Sequence, residues 1–388
     1  MKLRLGLMWL AGIDLRLTLL AVPPVLPLIH RDLHLSETGV AAIANLPVLT
    51  LAASSVLGSL FVARLGTRRA LIVALWIIAI GSSLRGVGPS IVTLFAATLV
   101  MGLGIALLQP VFPTLSREWF PGRVALATSV WSNGLLAGEA ISASLTLPWL
   151  LPLVGGSWGW SFVAWGGVVA LTALAVSGFW GRGGGAPSSS SAQWWPNFRD
   201  SHVWQIGLLQ AAASLTYFGA NTFIPDYLHA TGQPQLVGPA LAALNVGQLP
   251  ASLAFGFIPL RIIARWETSI VMAAALAGAV AVFLLAGGWF AVAAAAFIGL
   301  WGAYTLILSF ALPALLAPVG DVARMSAGVF TIGYTIAFAA SLLSGAIWDL
   351  THISATAFLP LIAAVAIMIV LGPRLSAAAH RASPTPGT

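Results

Sequence analysis

The chain has 388 residues, of which 17 are Lys or Arg and 10 are Asp or Glu, so that only 7% carry a formal charge while 59% are hydrophobic. An ordinary soluble domain has roughly 25% charged residues, so this composition excludes a soluble enzyme, a nucleic-acid binder and a disordered chain. The formal charge of +7 must be read through topology before any acidic partner is invoked, and the lack of cysteine excludes disulfides, thiol catalysis and cysteine metal sites.

A helix needs about 20 apolar residues to cross a bilayer. In chain order, twelve such spans are predicted, at 5–29, 38–63, 70–88, 90–113, 123–150, 157–180, 202–228, 235–260, 268–287, 289–316, 324–348 and 354–372. Long unbroken apolar runs argue against barrel strands, which would alternate over about 10 residues. The first span follows Met1, Lys2 and Arg4, is too long for a signal-peptide core and has no small-residue cleavage site after it, so it is expected to stay. An even span number puts both termini on one side. On that side fall Lys2, Arg4, Arg64, Arg68, Arg69, Arg117, Arg123, Arg182, Arg199, Arg261, Arg265, Arg324, Arg374 and Arg381, 14 of the 17 basic residues. Arg31 falls opposite, Arg85 at an outer helix end, and Arg16 inside span 1. The excess of basic residues predicts a multi-pass protein of the cell (inner) membrane with both termini cytoplasmic.

Gly181 to Ser201 is the one long polar segment, rich in Gly, Ser and Pro, and reads as a flexible cytoplasmic linker. It divides the chain into a six-helix half at 1–180 and another at 202–388, the latter ending in a short cytoplasmic tail. Self-comparison at an offset of about 200 residues aligns Leu17-Thr18 with Leu215-Thr216, Pro27 with Pro225, Asn45 with Asn245, Gly102 with Gly302 and Pro113 with Pro313, and Arg123 with Arg324 after a one-residue slip. Two repeated six-helix halves are a transporter signature, with the substrate site near the midplane between them. The expected fold class is therefore all-α, with 12 transmembrane helices in two pseudo-symmetric halves.

Short motifs then point to a family. Ala63-Arg64-Leu65-Gly66-Thr67-Arg68-Arg69 resembles the cytoplasmic loop motif of the major facilitator superfamily, with Ala63 where Asp is usual and the Arg and Gly positions kept. The second-half counterpart, Arg261 to Arg265, is more degenerate. The chain further resembles the cyanate/nitroimidazole-type branch. The matching pieces are Leu15-Arg16 with Pro23, Pro24 and Pro27; Leu84-Arg85; Gly102-Leu103-Gly104-Ile105-Ala106 with Pro113; and Phe120-Pro121-Gly122-Arg123-Val124. Pro148, Gly159-Trp160, Tyr217-Phe218 and the turn from Ile224-Pro225 to Gly232 continue them. The resemblance implies a secondary transporter of the major facilitator fold, working by alternating access, proton-linked, for a small anion or a small polar solute.

Charges inside the membrane carry the residue-level argument, because each costs roughly 2.5–3.5 kcal/mol on insertion scales unless paired or facing water. Arg16 lies roughly 17 Å into span 1 at 1.5 Å per residue. It is read as the substrate's anion anchor or as a fixed ion-pair partner of Asp14 or Glu139. Asp14 is two residues away, about 200° round the helix, so the two face different sides. It is read as a proton carrier or as tied to a polar group on the cytoplasmic side. Glu139, in span 5, is the candidate proton-coupling residue, since a carboxylate in a low-dielectric cavity holds its proton more tightly unless a cation is near. Substrate and Glu139 would then compete for Arg16. Arg85 is read as an external gate or a snorkelling side chain, and Arg64 and Arg68 of the loop motif as gating residues.

In the superfamily, spans 1, 4, 7 and 10 line the central cavity and spans 2, 5, 8 and 11 flank it. On these lie Asn45, Gln109, Trp131, Asn133, Tyr217, Asn221, Asn245, Gln248, Tyr304 and Tyr334, as candidate substrate contacts or interhelical hydrogen bonds. Tyr217 and Asn221 are four apart and share a face. The prolines of span 1 and Pro225 predict kinks. Lys2 is the only Lys, which excludes a Walker-type ATPase. His30 and His34 are expected as surface residues of an external loop, and Trp119, Trp158, Trp160 and Trp194-Trp195 as interfacial anchors. No cofactor, no metal and no nucleic acid are expected; the expected partners are a small-molecule substrate, protons and the lipid bilayer, with the chain a monomer. A proton-driven exporter of drug-like or weakly basic compounds is the alternative function.

Overall fold

The computed structural model describes residues 1–34, 37–88, 90–179, 194–258 and 265–382; within these, the side chains of 27, 30, 37–42, 44, 45, 319, 373 and 376–382 are not described. Among the described residues all regular structure is helical. The elements are α1 (Lys2–Leu17), α2 (Val22–Leu33), α3 (Glu37–Leu84), α4 (Ile91–Leu108), α5 (Val111–Trp119), α6 (Val124–Leu145) and α7 (Trp158–Phe179). They continue with α8 (Ser201–Ala230), α9 (Val237–Val246), α10 (Leu249–Phe257), α11 (Trp266–Ala286), α12 (Gly288–Leu316), α13 (Val322–Thr351) and α14 (Leu359–Ala382). Ten stretches among the described residues are long and apolar enough to cross a membrane, against the twelve spans read from the sequence. Two sources account for the difference. Leu46–Leu84 holds two helices that meet at Gly66, whose non-helical φ of 74° and ψ of 159° separate them and suit glycine. The seventh span, α8, is absent from the ten; its 30 residues include polar side chains along their whole length.

Proline placement sets several breaks. The first span was expected as one kinked helix, but α1 stops at Leu17 and α2 restarts at Val22. Pro23 and Pro24 have no N–H to give the preceding turn, so the helix cannot run through. Span 4 likewise breaks at Gln109-Pro110 and extends to Trp119 as α5, past the expected end at 113. After α6, Thr146–Leu150 forms a π-helical turn. His30, expected in a loop, falls on α2, its side chain lying outside the described part.

By contacts the chain forms two compact units. Unit 1 is Met1–Phe120, Val130–Pro196 and Val319–Ala327; unit 2 is Pro121–Ser129, Asn197–Pro318 and Gly328–Thr388. In unit 1, α3 packs along α4 and α7. Ile13, Leu17, Val22 and Val25 of α1 and α2 close a core with Trp158, Phe162 and Trp165 of α7. Trp158, expected as an interfacial anchor, is 5% exposed and donates to Asp32 Oδ2 at 3.0 Å. In unit 2, α12 is the central helix, packed by α8, α9, α10, α11 and α14. Lys2–Leu26 and Gly288–Leu316 have the largest share of buried residues among these spans, 72% of the most apolar window in each.

Of the linker read at 181–201, residues 181–193 lie outside the described residues, as do Arg182 and Arg261. The final part is anchored: Ser59 Oγ donates to the Trp194 carbonyl at 2.6 Å, and Asp200 caps α8 by accepting from His202 N–H at 2.9 Å.

Candidate functional site

Close backbone approach builds the site in unit 1. A Cβ added to Gly12 would collide with the Trp131 carbonyl, one on Gly134 with the Trp9 carbonyl, and one on Gly138 with the Ile13 carbonyl. This glycine seam lets α1 and α6 touch, as small residues four apart do in membranes. Trp9 Nε1 donates to Asn133 Oδ1 across it at 2.9 Å. Glu139 follows Gly138 directly, and Arg16 sits one turn beyond Gly12. Their side chains meet with Nε 3.5 Å from Oε1, at 3% and 4% exposure. An ion pair so enclosed is strong only while both members remain, since removing one leaves an uncompensated buried charge.

Asp14 points the other way, as its rotation round α1 predicts. It is fully buried, and the polar side chain facing it is Thr172 of α7; neither carboxylate oxygen completes a hydrogen bond of ordinary geometry. Arg85 also turns inward instead of snorkelling: it is 1% exposed, donates to the Thr18 carbonyl at 2.8 Å, and lies over the Phe162 ring at 4.2 Å. Trp131 is fully buried and stacked on Phe112 at 4.9 Å, which makes it part of the packing of unit 1. Gln109, 1% exposed, sits at the break between α4 and α5. Asn45 lies on α3 with its side chain outside the described part.

In the loop motif, Arg64 is exposed and Arg68 donates to the Ser177 carbonyl at 3.2 Å. An acid unforeseen from sequence meets the motif at another position: Glu118 of α5 accepts from Thr67 Oγ1 at 2.7 Å. Its only signal was its place beside Arg117 at a span end.

Unit 2 gathers four candidates into one network. Tyr217 Oη donates to Asn245 Oδ1 at 3.3 Å, and Gln248 Nε2 donates to the same oxygen at 3.3 Å. Asn245 Nδ2 reaches Asn221 Oδ1 at 3.4 Å and the Leu241 carbonyl at 2.8 Å, while Asn221 Nδ2 donates to the Tyr217 carbonyl at 2.9 Å. Here too glycines allow the approach, because a Cβ on Gly299 would strike the Leu244 carbonyl and one on Gly247 the Ala296 carbonyl. Tyr217, Asn221 and Asn245 are only half-buried. Tyr334, fully buried and stacked on Phe330 at 6.2 Å, belongs to the core. Tyr304 packs on Phe255 and lines a small cavity with Leu308, Leu312 and Met368; none of the four network residues lines it. Sequence reading missed a second buried group, in which Gln210 bonds Ser214 at 3.1 Å and accepts from Ser309.

Outside the spans, Asp32 accepts from Arg31 at 3.0 Å as well as from Trp158. These bonds, Arg31 first, hold its carboxyl below the usual carboxylate range.

This helical architecture resembles solved transporters. The outward conformation of FucP, a Major Facilitator Superfamily transporter, superposes with a TM-score of 0.75 at 12% identity, covering 98% of this chain and 99% of that one. In sequence, the cyanate transport protein CynX of Escherichia coli (strain K12) is 26% identical over 249 residues, 63% of each protein. The 2-nitroimidazole transporter of the same organism is 28% identical over 232 residues, 59% of this chain and 58% of that protein. Both matches span less than two thirds of those relatives' length. The family model described as Major Facilitator Superfamily matches residues 8–341, and the chain, a helical multi-span membrane transporter, belongs to that superfamily.

Proposed function

We propose that this transporter moves a small anion or small polar solute across the cell (inner) membrane by alternating access, coupled to protons, with Arg16 as anion anchor and Glu139 as coupling residue. The observation that carries the reading is the enclosed Arg16–Glu139 pair, 3.5 Å apart on two helices brought together by glycines. A guanidinium offers a planar, permanently charged fork to an anion. An arriving anion competes with Glu139 for that fork. A displaced carboxylate in a low-dielectric site is costly as an anion, so it takes up a proton. Substrate and proton thereby occupy the site together, which is the coupling. Asp14, on the opposite face of α1, is proposed as a second proton carrier.

The network of Tyr217, Asn221, Asn245 and Gln248 is proposed to offer neutral donors and acceptors to a solute. Tyr304, Gln109, Asn133 and Asn45 are further proposed contacts, with Trp131 and Tyr334 supporting them from the core; Arg64 and Arg68 are proposed to act in gating. The reading treats 1–180 and 202–388 as the two moving halves joined by 181–201. It places both termini in the cytoplasm and takes the monomer as the working unit. The similarity to a cyanate transport protein and a 2-nitroimidazole transporter supports a small, polar substrate class.

The test is a thermal-shift panel of cyanate, acetate and 2-nitroimidazole on purified protein, followed by proteoliposome uptake of whichever compound stabilises it. Stabilisation grows with ligand concentration over Kd, so weak binders register. The expected result is saturable stabilisation by at least one compound, pH-gradient-driven uptake of it, and loss of both in Arg16→Ala. An Arg16→Ala protein that transports like wild type would exclude the anchor.

A further inference from the structure

Arg85 follows the last residue of α3 and is 1% exposed. A side chain that gates from the outer surface would reach water; this one does not. Its Nη2 donates to the Thr18 carbonyl at 2.8 Å and stands 3.4 Å from Ser82 Oγ, and its guanidinium carbon lies 4.2 Å from the centroid of the Phe162 ring. Among the described residues no carboxylate pairs with it. A buried cation needs compensation, and here a backbone carbonyl and an aromatic face provide it.

The carbonyl in question sits at a special place. α1 ends at Leu17, and Thr18 opens the turn that separates it from α2. The last carbonyls of a helix lack helical donors. In an unbroken helix the Thr18 oxygen would be taken from within the chain, four residues on; Arg85 supplies a charged donor from another span. The C-terminal end of a helix also carries partial negative charge, which favours a cation. The same turn is held on its other side by Leu20 N–H, which donates to the Arg16 carbonyl at 2.9 Å. Thr18 is two residues beyond Arg16, whose side chain reaches Glu139 on α6.

We infer that Arg85 is a positioning residue for Arg16: by capping the Thr18 carbonyl at the break in the first span, it fixes the end of α1 and so aims Arg16 at the anion site. The inference rests on the reading of Arg16 as anion anchor. Arg85 then touches no substrate and acts through the backbone. Without it the turn at 18–21 loosens and Arg16 loses its set direction, so affinity falls while the maximal rate changes little. A lysine keeps the charge and a donor but loses the planar stack on Phe162, so it rescues in part.

The chain has no cysteine, so Leu20→Cys gives a single thiol in the broken turn. Its labelling by N-ethylmaleimide is compared in otherwise wild-type, Arg85→Lys, Arg85→Gln and Arg16→Ala proteins, alongside cyanate counterflow in proteoliposomes. Arg85→Gln is expected to speed labelling about tenfold and raise KM for cyanate about tenfold with Vmax within about twofold, the scale of a lost charge-assisted bond. Arg85→Lys should fall between, and Arg16→Ala should lose cyanate counterflow without altering labelling. Labelling at the wild-type rate in Arg85→Gln overturns the inference, with or without cyanate transport. So does a fall in Vmax at constant KM. If Arg85→Gln cannot be recovered folded, Arg85→Lys decides by the same labelling rate. Wild-type cyanate counterflow in Arg16→Ala, beside accelerated labelling in Arg85→Gln, would instead refute the anchor reading and leave the clamp standing.

Discussion

The two compact units meet the same packing problem with different polar chemistry. In unit 1, α1 and α6 touch through Gly12, Gly134 and Gly138, and enclose a full ion pair, Arg16 with Glu139. In unit 2, α9 and α12 touch through Gly247 and Gly299, near a neutral network of Tyr217, Asn221, Asn245 and Gln248. The difference is one of tolerance. A buried ion pair fails as a whole when one member is lost, because the other is left charged and unpaired. A neutral network loses one bond at a time, and its half-buried members can turn to water. Under the proposed function, unit 1 would host the all-or-none event, proton transfer, and unit 2 the graded recognition of solute shape.

The largest expected effect comes from breaking the pair on one side. Arg16→Ala or Glu139→Ala should cost about 3–5 kcal/mol of stability, read as a drop in detergent Tm, with transport lost. The double variant Arg16→Met/Glu139→Leu should recover most of that Tm yet stay inactive. A double variant no more stable than the singles would mean that pairing is not what balances these charges. Next is the seam. Gly138→Leu places a side chain against the Ile13 carbonyl, and overpacking of this kind costs about 1–3 kcal/mol. Uptake should vanish because Arg16 and Glu139 no longer meet; wild-type uptake would show that the close approach is dispensable.

Unit 2 should yield smaller numbers. Asn245→Ala removes the hub of the network and should raise KM for the transported solute about tenfold. Tyr217→Phe loses a single neutral bond and should raise it about threefold, with pH dependence of uptake unchanged in both. A shifted pH dependence in either would erase the contrast between the units. The smallest effect is at the surface. Arg31 and Trp158 hold the Asp32 carboxyl below its unfolded range. The stability it gives is present above the unfolded pKa and fades as pH falls through the lowered folded value. Asp32→Asn should flatten the acid-side slope of Tm against pH; an unaltered slope would remove Asp32 from that account.

Much of this was legible in the sequence, for definite reasons. Charges in apolar spans are rare enough that Arg16, Asp14 and Glu139 stand out, and helical rotation alone separates the faces of Arg16 and Asp14. Tyr217 and Asn221 share a face by spacing. That Asn245 and Gln248 join them depends on how α8 meets α9 in space, which spacing within one helix cannot give. Arg85 was misread as outward-facing because its distance from the span end favours snorkelling; its direction is decided by Thr18 and Phe162, far off in the chain. Trp131 and Tyr334 stack on Phe112 and Phe330 in the packing of their units, since a residue's span does not fix which way its ring faces. The break after Leu17 followed from Pro23 and Pro24, whereas the glycine seam was hidden among 40 glycines.

The central claim is that Glu139 carries the proton that accompanies the solute at Arg16. It is tested most directly with Glu139→Gln in proteoliposomes, by comparing counterflow of the transported solute with its accumulation against a gradient under an imposed pH difference. The account predicts that counterflow persists, because the amide still leaves Arg16 available to the anion, while pH-driven accumulation is abolished. Accumulation at the wild-type level in Glu139→Gln would contradict it.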